Sequence, residues 1–132
     1  MFNDIIDNMP GTTIKKSHVH GFGLFSESTF PLGQLLATLE GQIVPWQLHK
    51  EKQLTKEWNA LPNERVLVRP YRTKYYYINH SRTPNLVIQR DQDDKLKIIT
   101  LRGVSVGEEL LLDYREEPLA VSYLSGHGET YL

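Results

Sequence analysis

With 132 residues, of which 39% are hydrophobic and 23% charged, the chain has room for one domain around one sizeable core. Fifteen basic against sixteen acidic residues leave a formal charge of -1, which argues against a strong electrostatic grip on nucleic acid or anionic lipid. The chain has no cysteine, and that excludes disulfides, thiolate nucleophiles and thiolate zinc sites together.

In chain order, residues 1–11 end in the turn signal Asn8-Met9-Pro10-Gly11 and read as a short N-terminal arm or strand lead-in. They carry Asp4 and Asp7 where a signal peptide needs positive charge, and no apolar run reaches membrane-spanning length, so a soluble intracellular protein is expected. Thr12-Thr13-Ile14-Lys15-Lys16-Ser17 predicts a first strand, and a second runs from the Gly21-Phe22-Gly23 segment through Leu24 and Phe25. Gly21 and Gly23 permit positive φ and leave no Cβ to obstruct a ligand lying on the backbone, although in isolation a bulged strand explains them better.

Residues 30–34 predict a turn, and residues 35–45 two short strands joined near Gly41. From Trp46 to Trp58 the good helix formers Gln47, Lys50, Glu51, Lys52, Gln53, Lys56 and Glu57 predict the one helix, with its charges on a solvated face. Arg65-Val66-Leu67-Val68-Arg69 alternates as a strand does and stops at Pro70. Residues 86–90 and 96–101 predict a hairpin with the polar tip Asp91-Gln92-Asp93-Asp94, and Gly103 and Gly107 bracket a turn before Leu110-Leu111-Leu112. Residues 116–132 are left as a C-terminal tail, with Tyr123 and Tyr131 as candidates to fold back as a lid. Many short strands with one helix predict a mostly β domain.

The stretch that carries chemistry is Tyr75-Tyr76-Tyr77-Ile78-Asn79-His80-Ser81-Arg82-Thr83-Pro84-Asn85. Three adjacent tyrosines beside short polar side chains combine aromatic surface with donors and acceptors that need partners, either in a turn or in a bound polar ligand. A second stretch, Gly107-Glu108-Glu109-Leu110-Leu111-Leu112-Asp113-Tyr114, follows it.

Together with Gly21-x-Gly23, the Asn-His-Ser-x-x-Pro-Asn and Gly-Glu-Glu-Leu-x-x-Asp-Tyr segments resemble, in this order, the SET domain of S-adenosylmethionine-dependent protein-lysine methyltransferases. The resemblance covers residues 12–115. It implies a β-clip fold of several short sheets with a knot-like crossing, and methyl transfer to a lysine amine of a protein or peptide, histone or histone-like proteins being the commonest targets. Gly21, Phe22, Gly23, Asn79, His80 and Tyr114 would hold S-adenosylmethionine, Tyr114 would also be the catalytic residue beside the methyl group, and Tyr76, Tyr77 and Leu112 would line the substrate channel. Ser81, Pro84 and Asn85 would be scaffold at the crossing, and Glu108 and Glu109 would hold turns or cap backbone.

The residue types suit that chemistry. The reaction consumes a neutral amine, whereas free lysine is protonated at pH 7; a desolvated aromatic channel and a nearby sulfonium both disfavour the ammonium, so no strong general base is needed. Arg82 stands where eukaryotic relatives often have Cys, the flanking zinc segments are absent, and Leu112 occupies a position where relatives often have Phe or Tyr. Unlike tyrosine, leucine has no hydroxyl with which to hold a water, which predicts two or three methyl transfers. Two other readings are a non-catalytic peptide-binding or ligand-binding module of the same fold, and a metal enzyme built on His18-x-His20, whose side chains would share one strand face but lack a third and fourth ligand. Trp46 and Trp58 are candidates for a homodimer surface.

Overall fold

The computed structural model describes residues 5–52 and 56–116, with the side chains of residues 50–52 and 116 outside that description. Strands β1 (Ile5–Ile6), β2 (Thr12–Lys16), β3 (Phe22–Ser26), β4 (Leu35–Leu39) and β5 (Gln42–Pro45) lead into helix α1 (Trp46–Lys52). Strands β6 (Glu57–Leu61), β7 (Arg65–Arg69) and β8 (Arg72–Thr73) lead to a 3-10 helix, Lys74–Tyr77, and then to β9 (Asn79–His80). The hairpin β10 (Leu86–Arg90) and β11 (Leu96–Thr100) precedes β12 (Glu109–Leu112) and a last 3-10 turn, Tyr114–Glu116. Small sheets dominate, as expected of the mostly β, SET-like fold.

The sheets have the orders β2-β3-β12-β9, β5-β7-β6, β10-β11-β4 and β1-β8. Alternation along the strands explains which faces meet: in β12, Leu110 and Leu112 are buried while Glu109 and Leu111 point to the other side. Leu110 and Leu112 join Leu24, Leu61, Ile78, Leu86 and Ile98 in one apolar core. The N-terminal residues take part in it. Met9 is fully buried there, β1 pairs in parallel with β8, and Lys74 Nζ donates to the carbonyl of Thr12 at 2.7 Å.

The second sheet departs from the sequence expectation. The helix predicted over residues 46–58 ends at Lys52, and Trp58 lies in β6, opposite Val68 of β7. Glu57, expected on a solvated face, is 3% exposed; its Oε2 accepts from Arg69 Nε at 2.5 Å, and Arg69 is itself 1% exposed. A buried carboxylate needs such a partner, and helical continuation would not put residue 57 opposite residue 69 in the β6–β7 register. The turn between these strands uses positive φ at Asn63 and Glu64, a chain reversal that helix propensity does not register. Trp46, His49 and Trp58 pack their rings together with centroids 5.1–5.5 Å apart.

The expected crossing brings residues 79–85 alongside β12. Strand β9 pairs in parallel with it, placing Asn79 beside Leu111 and His80 beside Leu112. The amide of Asn85, 2% exposed, clamps the same strand: Nδ2 donates to the Glu109 carbonyl at 2.9 Å and Oδ1 accepts from the Leu111 N–H at 2.8 Å. Among the described residues no helix is long and apolar enough to cross a membrane. The expectations for the tail and its tyrosines, Tyr123 and Tyr131, lie outside the described residues.

Two outcomes follow for stability. Glu57→Gln strands the Arg69 guanidinium without its counter-charge, and denaturant unfolding should show a loss of about 3–5 kcal/mol. Asn85→Ala leaves a buried N–H and a buried carbonyl unpaired at about 1–3 kcal/mol each, so its unfolding midpoint should fall well below that of Gln92→Ala, a control at an exposed position.

Candidate functional site

The buried Glu57 carboxylate does more than neutralise Arg69. It accepts from the Thr73 N–H at 2.9 Å and from Thr73 Oγ1 at 2.8 Å. Thr73 in turn caps the 3-10 helix, its hydroxyl accepting from the Tyr75 N–H at 3.2 Å. The tyrosine run therefore starts from a fixed point. Tyr75 turns inward against the core, whereas Tyr76 and Tyr77 meet edge to face with centroids 5.2 Å apart. The Arg72 guanidinium lies over the Tyr76 ring at 4.4 Å from its centroid.

Tyr76 and Tyr77 form one side of a cavity of about 580 Å³, completed by Gly21, Phe22, Asn79, His80 and Tyr114, with Val19 and His20 at its edge. Clefts for small ligands and cofactors run to about 300–1,000 Å³. The imidazole of His80 and the phenol ring of Tyr114 pack with centroids 5.2 Å apart. The Tyr114 N–H donates to His80 Nδ1 at 3.0 Å, so in the neutral ring the proton sits on Nε2. The Tyr114 hydroxyl donates to the Ile78 carbonyl, which commits its proton.

Next to this pair, Arg115 binds Asp113 through Nε at 3.0 Å and Nη2 at 2.7 Å. That pairing holds the Asp113 carboxyl at about 2, below its ordinary 3.8. Asp113 Oδ1 lies 3.7 Å from His80 Nδ1 and contributes to the wall rather than to a free acid.

Two of the expected site residues fall elsewhere. Gly23 is buried, and a Cβ there would overlap Glu109 Oε2 and lie 2.9 Å from the Glu109 carboxyl carbon. Its missing side chain thus makes room for a carboxylate, not for a ligand on the backbone. Gly21 has φ of +48° and open space where a Cβ would project. Leu112 shares the core face of β12 and lines a separate, mainly apolar cavity of about 430 Å³ with Pro84, Leu86, Ile88, Leu101 and Asp113. Leu112 and Asp113 line this cavity, and Tyr114, the next residue, lines the other.

Sequence reasoning gave Val19 no role at the cavity, and it assigned His20 and Glu109 other roles. His18 and His20 sit in the bend between β2 and β3, not on a common strand face as the metal reading required. Glu109 was read as a turn holder, but its strand position aims it toward Ser17 and Asn79. The available signal was the alternation of β12, which places Glu109 opposite in sense to its buried neighbour Leu110. Glu108 does hold a turn, its Oε2 accepting from the Ser105 N–H at 2.8 Å.

The geometry meets requirements for a nucleoside-bearing amino-acid cofactor: a cavity of suitable volume, an open backbone at Gly21, and an Asn79 amide oxygen to which no described residue donates. Among solved structures, the chain is similar to a humanized mutant of the Chaetomium thermophilum Polycomb Repressive Complex 2 bound to the inhibitor GSK126. The TM-score is 0.65 at 20% identity, covering 82% of this chain and 15% of that one. It is similar also to the same complex bound to GSK343, at a TM-score of 0.66 and 19% identity, covering 86% and 16%. At these identities the likeness is one of fold, and the chain spans only a small part of the length of either relative. No sequence among the curated proteins matches it significantly. The family model described as the SET domain matches residues 21–115. That match begins at Gly21, which opens one wall of the cavity, and ends at Arg115, the partner of Asp113; the chain belongs to the SET domain family.

Proposed function

We propose that this protein transfers methyl groups from S-adenosylmethionine to the side-chain amine of lysine in a protein or peptide, with histone-like basic segments as the substrate class. The observation that carries the reading is the convergence of Asn79, His80 and Tyr114, from two segments distant in sequence, on the cavity that Gly21 and Phe22 also line. When bound, S-adenosylmethionine supplies an electrophilic methyl group on a sulfonium.

The residues of this chain do the rest. Gly21 and Phe22 offer backbone for the cofactor to lie on, and Asn79 and His80 hold its polar ends. Tyr76 and Tyr77 screen the cavity from water, although Tyr76 remains 46% exposed. Tyr114 lines the first cavity and follows directly on Leu112 and Asp113 of the apolar one, and its phenol oxygen orients the incoming amine or the transferring methyl. The lysine stem enters from the apolar side, past Pro84, Leu86 and Leu112. Desolvation there favours the neutral amine, and alignment of amine and methyl supplies much of the acceleration.

Tritiated S-adenosylmethionine incubated with histones and cell lysates should label a protein band through lysine. Tyr114→Phe should lower the rate about a hundredfold or more while still binding S-adenosylhomocysteine. Wild-type protein that is thermally stabilised by S-adenosylmethionine yet labels nothing would instead mark a non-catalytic module.

Leu112 has no hydroxyl to hold a water in the amine channel, so the product should carry two or three methyl groups. Mass spectrometry of the product should show this, with Leu112→Tyr shifting it toward monomethyl-lysine. A wild-type reaction that stops at one methyl group contradicts the assignment of Leu112.

A further inference from the structure

The polar contacts behind the cavity converge on one side chain that does not line it. Ser17 Oγ donates to the Glu109 carboxylate, 2.8 Å from both of its oxygens, and accepts from the N–H groups of Val19 at 2.8 Å and His20 at 3.2 Å. Asn79 Nδ2 donates to Glu109 Oε2 at 3.0 Å, to the His20 carbonyl at 2.9 Å and to the Phe22 carbonyl at 3.1 Å. One carboxylate is thereby linked to the loop over residues 17–21, to the start of β3 and to β9.

We propose that Glu109 is a positioning residue: by holding Asn79 Nδ2 and the 17–21 loop, it makes the cavity present Asn79 Oδ1 as an acceptor for the ammonium of an amino-acid ligand. The inference deepens the cofactor reading above and rests on it. All three oxygens that meet the amide are acceptors, so a flipped Asn79 would set its own oxygen against them. Two of the three are backbone carbonyls, and Glu109 is the one side chain among them. An amide N–H given to a carboxylate polarises the amide and strengthens its oxygen as an acceptor. The negative group behind Asn79 also favours a cation in front of it.

Gly23 is the complement of this arrangement. The carboxylate fills the space a Cβ would take, and Ser17 Cβ lies 3.1 Å from the same point. Any side chain at position 23 has to push Glu109 away from Asn79. Glycine at 23 and glutamate at 109 therefore work as a pair across β3 and β12, which are hydrogen-bonded neighbours.

The test is calorimetric binding of two probes to the full chain: S-adenosylhomocysteine, which has the amino-acid end, and 5′-methylthioadenosine, which lacks it. Glu109→Ala should weaken S-adenosylhomocysteine about tenfold or more and change methylthioadenosine by less than about twofold. Gly23→Ala should give the same selective loss, and the double variant should lose no more than either single one. Unchanged affinity for S-adenosylhomocysteine, an equal loss of both probes, or additive losses in the double variant would overturn the proposal. Should Glu109→Ala not fold, Glu109→Gln carries the same ligand-selective comparison, with a loss of about threefold expected. If the wild type binds neither probe, it is the cofactor reading that fails. The role of Glu109 is then decided by the Asn79 side-chain amide resonances, which shift in Glu109→Gln if the carboxylate holds the amide and stay in place if it does not.

Discussion

Both ends of the Asn85 amide are spent on β12, one on the Glu109 carbonyl and one on the Leu111 N–H, and the rest of the site hangs on that grip. Strand β9 is two residues long and pairs in parallel, an arrangement too short to hold by ladder hydrogen bonds alone. The backbone of the same segment reinforces it, with the N–H of Ser81 donating to the Leu112 carbonyl at 2.9 Å and the N–H of Asn85 to that of Leu111 at 3.2 Å. Because the crossing is held from both ends of this segment, His80 meets Tyr114 at a fixed distance, although the two lie 34 positions apart in the chain.

A second buried polar cluster sets the other wall. The Glu57–Arg69 pair is satisfied at nearly every atom: Arg69 also donates to the Glu40 carbonyl at 3.0 Å and to Asn59 Oδ1 at 2.6 Å. Buried ion pairs of this kind contribute little net stability against an apolar replacement, because desolvation offsets most of the attraction. Their value here is directional. The carboxylate that neutralises Arg69 also orients Thr73, Thr73 caps the 3-10 helix, and that helix delivers Tyr76 and Tyr77 to the cavity. An apolar core at the same place would fill the volume without specifying where the tyrosine run begins.

The carboxylates nearest the cavities are engaged within the chain. Asp113 is closed off by Arg115, and Glu109 is spent on Ser17 and Asn79. A phenol and an imidazole line one cavity, and mostly aliphatic side chains with Arg90 line the other. For the methyl transfer proposed above, aliphatic surface of this kind would disfavour the ammonium form of the amine. Chemistry by positioning and desolvation asks for rigid walls more than for a strong base, and the two buried hydrogen-bond clusters provide them.

Local pattern made much of this protein readable in advance. The strands β2, β3, β4, β5, β7, β10, β11 and β12 follow alternation and turn residues, and Gly21, Phe22, Asn79, His80 and Tyr114 from the three motifs line one cavity. Helix propensity misled at Glu57 and Trp58, because Glu57 is stabilised by Arg69 across a sheet and no local scale contains that partner. The same limit applied to Gly23, Leu112 and Glu109. Sequence determined that a glycine, a leucine and a glutamate stand at those positions. Only the packing of β12 between β3 and β9 decided that the glutamate fills the glycine's empty space and that the leucine faces a different cavity, since which face of a strand meets which neighbour is settled by contacts between segments far apart in the chain.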